Sequence, residues 1–152
     1  MSTIFKPLTK ADIPEAVTLM RDFYAIDNYH IDPATSEALF TEFISNDNLG
    51  RAWLIYSDNE LIGYTIITFI FSFEYKGRYA FLDELYLSEK ARGKGIGKQA
   101  IEFIKAEALK LKLKVIYLEV ENNNENAQKL YLAQNFTVHH LKMMKYIEAL
   151  TL

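Results

Sequence analysis

The chain has 152 residues, half of them hydrophobic and 14% aromatic, with no cysteine and a formal net charge of -3. That length suits one domain with a buried core, and the composition lies outside the range of disordered chains. The missing cysteine excludes disulfides, thiolate metal sites and a cysteinyl acyl-enzyme, and the acidic balance argues against generic nucleic-acid binding. No run reaches the roughly 18 apolar residues of a membrane span. The opening MSTIFKPLTK lacks the apolar core of a secretory signal, so a cytoplasmic location is expected.

In chain order, residues 3–8 alternate as a short strand. Asp12 can cap a helix that carries Pro14 in its first turn and runs to about Tyr24, with Ile13, Val17, Met20 and Tyr24 on one face. AIDNYHIDPAT reads as a polar loop, followed by a second helix over about 35–45. RAWLIY and ELIGYTIITFIFSF form a hairpin around Ser57, Asp58 and Asn59, and EYKGR turns the chain into a third strand, YAFLDELYL. After a glycine stretch, a helix is expected over about 96–113, its inner row being Ile96, Ala100, Ile104, Ala108 and Leu111. KVIYLEV is a strand, NENAQKLYLAQ a helix, and the remainder is strand-like. No repeat, linker or composition shift divides the chain, so residues 1–152 read as a single domain. The order predicts an α/β protein: a mixed, mostly antiparallel sheet flanked by helices, with one parallel β-α-β crossover.

The stretch SEKARGKGIGKQ sets Gly93, Gly95 and Gly97 among Lys90, Arg92, Lys94 and Lys98, against the acidic average. Glycines between a strand and a helix let an anionic ligand reach the backbone, where the helix start offers free N–H groups and a positive dipole end. A P-loop fails because Arg92 stands where its first glycine is needed and Gln99 where Ser or Thr is needed. A dinucleotide fingerprint fails because position 98 is lysine. The pattern Arg-x-x-Gly-x-Gly fits as Arg92 to Gly97.

LDELYLSEKARGKGIGKQAIEF resembles the coenzyme segment of the GNAT superfamily of acyl-CoA-dependent N-acyltransferases. LEVENNNENAQKLYLAQNF resembles the same family's later strand and helix, through Asn124, Ala127, Leu130 and Tyr131. The usual Gly-Phe after that helix is here Asn135-Phe136, and asparagine tolerates the left-handed conformation of a helix C-cap. The resemblance implies a GNAT-like fold and acetyl-CoA as cosubstrate. It implies that the backbone of Arg92, Gly93, Lys94, Gly95, Ile96, Gly97 and Lys98 holds the pyrophosphate. Main-chain groups of Leu85, Tyr86 and Leu87 would then meet the pantetheine arm, with Asn124 and Ala127 completing the coenzyme site and Tyr131 as general acid to the sulfur. Dimers occur in the family, so a homodimer is compatible with it.

Acetyl transfer to an amine needs a carboxylate to attract the ammonium and take its proton. Asp83 and Glu84 lie on the strand before the glycine stretch, and Asp83 stands nine residues before Arg92. This segment resembles that of diamine and glucosamine-phosphate acetyltransferases, in which an acidic residue at that spacing lies in the active site. Strand alternation sends the two to opposite faces unless a bulge intervenes, so one of them, with Asp83 favoured, is expected to face the acceptor. Asp27, Asn28, Tyr29 and His30 fall where the family folds a loop over the acceptor, and Glu74 sits at the next hairpin. His30, His139 and His140 have no partners at ligand spacing, so no metal site is expected, and Trp53 reads as core. The expected function is transfer of acetyl to a primary amine by direct attack in a ternary complex, with a small acceptor such as a polyamine or amino sugar favoured. The rivals are a protein lysine or N-terminal acetyltransferase, and a non-catalytic coenzyme-A-binding sensor that would not need Asp83, Glu84 or Tyr131. Neither nucleic acid nor membrane is expected as a partner.

Overall fold

A computed structural model describes residues 2–148. Five strands, β1 (Thr3–Pro7), β2 (Gly50–Ser57), β3 (Glu60–Ser72), β4 (Gly77–Leu87) and β5 (Ile116–Tyr117), form one sheet in sequence order. The first four pair antiparallel, and β5 pairs parallel with β4. Helices α1 (Ile13–Ala25) and α2 (Pro33–Ile44) lie between β1 and β2, α3 (Ile96–Lys110) makes the β4-to-β5 crossover, and α4 (Glu125–Ala133) follows β5. This is the expected mixed sheet.

Each face of the sheet buries its own apolar cluster. Leu54, Tyr64, Ile66 and Tyr86 meet Ile13, Ala16, Val17 of α1 and Phe40 of α2. On the other face, Trp53, Ile67, Ala80 and Leu82 meet Ile101 and Ile104 of α3, and Ile55 and Ile62 meet Ile96 and Ala100. Burying an aliphatic side chain such as Leu54 or Ile67 contributes about 2 kcal/mol. The β2–β3 turn has both central residues, Asp58 and Asn59, at positive φ (49° and 68°), as a two-residue hairpin of right-handed twist requires.

Three expectations need correction. Asp12 does not cap α1: it sits in a helical conformation, and its carboxylate accepts from the Thr9 N–H (3.0 Å), the Thr9 hydroxyl (2.9 Å) and Lys6 Nζ (2.7 Å). It closes the 3-10 turn Lys10–Asp12 and ties it to β1. The strand expected over KVIYLEV shrinks to Ile116–Tyr117, because β4 turns away from it beyond Phe81. The strand-like remainder after α4 forms no strand among the described residues. Its apolar positions Val138, Leu141, Met143, Met144 and Tyr146 break period two, so no single face is apolar, and all five are exposed.

The Lys6 hydrogen bond to Asp12 holds that carboxyl below its usual pKa, helped by the Thr9 groups and opposed by burial. A depressed carboxylate stabilises the fold above its unfolded pKa and loses that contribution as pH falls through the depressed value. Asp12→Asn should therefore cost about 1–2 kcal/mol at neutral pH. Urea unfolding checks this: the two proteins should differ at pH 7 and converge in acid, and equal midpoints at pH 7 would remove the role.

Candidate active site

The site is organised by an irregularity in β4. Ile67 pairs with Leu82 and Ile66 with Glu84, leaving Asp83 as an extra residue without a partner in β3. Such a bulge resets the alternation of side chains. Ahead of it, Ala80 and Leu82 face α3; beyond it, Leu85 and Leu87 do, while Tyr86 joins the α1 cluster. Asp83 and Glu84 consequently share the α1 face. The alternation that would send the two to opposite faces is broken, because the bulge that had to intervene is present.

The two carboxylates differ in their surroundings. Glu84 is largely withdrawn from water and accepts a hydrogen bond on each oxygen, from Tyr24 of α1 (2.6 Å) and Tyr64 of β3 (2.5 Å). Burial pushes its pKa up, the two phenols oppose that rise, and the charge of Asp83 adds to it. Asp83 is more exposed and has no hydrogen-bond partner among the described residues; partial desolvation and the charge of Glu119 push its pKa up as well. No lysine or arginine forms an ion pair with either carboxylate among the described residues. Around Glu84 stand the rings of Phe23, Tyr24, Tyr29, Tyr64 and Tyr86, with centroid separations from 5.3 to 6.3 Å. The sequence does not single out Tyr24 or Tyr64 as partners of Glu84. Tyr24 lies on the apolar row of the first helix and so reads as core, and nothing local announces that it meets Glu84, 60 residues away.

The bulge also opens the sheet. Parallel pairing of β4 with β5 stops at Phe81 and Tyr117. The Ser88 N–H donates to Ile62 O at 2.8 Å, so the period-two backbone turns the N–H groups of Leu85 and Leu87 the other way, toward the gap. Their side chains belong to the core, and only the main chain can face a ligand there, as it can at Ile96, which is 1% exposed.

The gap leads to the glycine stretch. Gly93 and Gly95 adopt positive φ (73° and 80°), and a side chain on either would meet nothing within 4 Å. Gly95 is the N-cap of α3. Within Gly93–Lys98 no backbone N–H finds an acceptor among the described residues, whereas Arg92 N–H is bound to Glu89 O and Gln99 N–H to Gly95 O. Successive free amides at a helix start, with space above them, form an anion cradle. That arrangement fits the diphosphate of coenzyme A. The cations contribute unequally: Lys90 is paired with Glu60, and Arg92 Nε donates to Leu87 O with its guanidinium over the Tyr86 ring. Lys98 lies 3.9 Å from Glu102, while Lys94 forms no ion pair among the described residues and lines a hollow of about 150 Å3 beside the loop. Gly97 has a packing role, since Leu130 of α4 sits 3.3 Å from where its Cβ would be.

Helix α4 brings the remaining residues. Asn124 is its N-cap, Oδ1 accepting from the Ala127 N–H at 3.1 Å, which leaves the Asn124 amide donors for a ligand and occupies the Ala127 N–H. Asn135, at φ 69°, ends the helix, and the Phe136 N–H returns to Tyr131 O at 3.0 Å. Tyr131 packs against Phe136 and the cluster that holds Leu82. Its hydroxyl has no protein partner among the described residues, and burial raises its pKa, so the phenol is protonated at neutral pH. Tyr131, Leu118, Val120 and Asn122 line an open crevice of about 880 Å3 between α3, β5 and α4; Asp83, Glu84 and the glycine stretch lie outside its walls. The loop after α1 carries exposed Asp27, Asn28, Tyr29 and His30, with the Tyr29 ring tilted against Tyr24 at 5.7 Å. Glu74, His139 and His140 stand apart from this cluster beside Tyr117, and no group of metal-ligating side chains occurs among the described residues.

Comparison with known proteins matches residues 17–136 to the acetyltransferase (GNAT) family. A stretch of 51 residues, 34% of the chain, is 37% identical to the D-amino-acid N-acetyltransferase HPA3 of Saccharomyces cerevisiae, and the match spans about a third (32%) of that protein's length. Among solved structures, the integron cassette protein HFX_CASS3 from a Cole Harbour salt-marsh metagenome is 26% identical, with a TM-score of 0.86 over 95% of this chain and 90% of that one. A predicted acetyltransferase from Clostridium acetobutylicum, solved with acetyl-CoA, has the same fold, with a TM-score of 0.78 at 20% identity over 95% of this chain and 96% of its own.

Proposed function

The chain belongs to the GNAT acetyltransferase family and is an acetyl-CoA-dependent N-acetyltransferase, and on that premise we propose that its acceptor is a small primary amine, such as a polyamine or amino sugar, acetylated by direct attack in a ternary complex. The observation that carries this reading is the placement of Asp83 and Glu84 on one face, Glu84 among aromatic rings, with no cation paired to either among the described residues. A withdrawn carboxylate without a counter-ion, as at Glu84, favours a cationic ligand, and an ammonium fits it with the exposed Asp83 beside it. A small amine is also consistent with the yeast relative, whose name gives a D-amino acid as its acceptor.

Bound acetyl-CoA supplies an acetyl thioester. An alkylammonium near pKa 10 must lose a proton before its nitrogen can attack. Asp83 takes that proton, the nitrogen attacks the thioester carbonyl, and the carbon–sulfur bond breaks as Tyr131 gives a proton to the sulfur. The second proton of the acylated nitrogen restores Tyr131 through solvent, and Asp83 releases its own. One ammonium and one thioester thus give one amide, one thiol and one proton.

Asp83 and Glu84 are both pushed up from the ordinary carboxylate pKa, and Asp83 must be charged to take the proton. Activity should therefore fall as pH drops through those raised values, so the acid limb of kcat/KM lies above that of a free carboxylate. A pH–rate profile checks this, and a limb at the ordinary carboxylate position removes Asp83 from its role. The acceptor class is tested by thiol release from acetyl-CoA with diamines, polyamines, amino sugars, amino acids and lysine-bearing peptides. Transfer to the peptides alone, or no thiol release with any amine, rejects the small-amine reading.

A further inference from the structure

Glu84 is held in a way that the reaction as described does not require. Its two oxygens receive the hydroxyls of two tyrosines from separate elements, Tyr24 in the last turn of α1 and Tyr64 on β3. Both phenols are pushed above their ordinary pKa by burial and by the Glu84 charge, so both remain donors. The rings are fixed in turn: Phe23 stands edge-on to Tyr24 at 5.7 Å and to Tyr64 at 6.3 Å, and tilts against Tyr86 at 5.3 Å. Packing alone does not explain a charge at this position, since an apolar residue of like volume fills such a space at lower cost. Two neutral donors orient a carboxylate without neutralising it. Each oxygen keeps a lone pair for a further donor.

We infer that Tyr24 and Tyr64 are positioning residues that clamp the Glu84 carboxylate as the anchor for the acceptor's ammonium, leaving Asp83 to take the proton. The division follows from the contacts. Glu84 is fixed at both oxygens, so it can orient a cation but cannot swing with a proton. Asp83, one residue earlier at the bulge and without a hydrogen-bond partner among the described residues, is free to turn. Tyr24 also precedes the 26–32 loop directly, so a single hydroxyl links that loop to the carboxylate. The titratable groups facing Glu84 are Tyr24 from α1, Tyr64 from β3, and Asp83 on its own strand, with Tyr29 and Tyr86 one ring further out.

The inference rests on the amine-acetylating role, and the test separates the two. Tyr24→Phe and Tyr64→Phe keep the rings and delete one donor each. Removing a donor that favours the charged form of Glu84 moves its titration upward. The expected result for Tyr24→Phe is a KM for the amine raised about tenfold with kcat within about twofold, the pattern of lost ground-state binding through a charged hydrogen bond. The acid limb of kcat/KM should move up, and the affinity for acetyl-CoA should not change. A readout that needs no turnover is 13C-carboxyl titration of glutamate-labelled protein: the resonance absent from Glu84→Gln should shift its midpoint upward in both tyrosine variants. An unmoved limb and an unmoved midpoint overturn the clamp. A moved midpoint with kcat reduced and KM unchanged overturns the anchor. Wild-type protein that acetylates no amine overturns the acceptor reading itself, a result distinct from either.

Discussion

Gly95→Glu abolishes acetyl-CoA binding: calorimetry should show affinity weakened at least about hundredfold, equivalent to nearly 3 kcal/mol. The glycine stands at the start of α3 with φ 80°, beside successive free amides from Gly93 to Lys98. A glutamate there brings a negative charge into the place where those amides and the helix dipole would meet phosphate. It also strains the backbone, because a side chain in the left-handed region costs about 1–2 kcal/mol. Gly95→Ala separates the effects. It shares the strain, yet its methyl meets nothing within 4 Å, so it should bind the coenzyme far better than the glutamate variant. Equal affinity of Gly95→Glu and wild type would remove the cradle from the coenzyme site.

Tyr131→Phe should lower kcat by about a hundredfold, the scale of a lost general acid, while leaving acetyl-CoA affinity within about twofold. The phenol is half-enclosed beside Phe136 and the Leu82 cluster, and burial keeps it protonated. Its hydroxyl has no hydrogen-bond partner among the described residues, so its removal should leave the thermal midpoint unchanged. Pre-steady-state measurement of thiol release distinguishes slowed chemistry from slowed product departure. Turnover equal to wild type, with intact folding, would leave the proton to another donor.

Much of this arrangement is visible in local sequence because its signals are local. Glycines at every second position among cations mark the cradle, and Asn124 with Ala127 and Tyr131 marks the fourth helix at its own start. The carboxylate pair is visible as residue types, whereas its geometry is not. The bulge at Asp83 is announced by no glycine or proline; it is fixed by how Ile66 and Ile67 pair across the strand boundary, which is tertiary information. Tyr24 and Tyr64 meet Glu84 across 60 and 20 residues, beyond any periodic pattern. After Phe136, apolar residues predict a strand by composition, but their order cannot sustain one wet face and one dry face.

The extra residue at position 83 inverts the parity of everything after it in that strand. Were β4 to run in unbroken alternation from Leu82 with Asp83 paired in register, Glu84 would point into the aliphatic wall of α3 while Leu85 and Leu87 emerged beneath the tyrosines. No substitution elsewhere could compensate, because each chemical group would be right and its direction wrong. The one-residue excess of β4 over β3 is therefore as strict an inheritance as any side chain the strand carries.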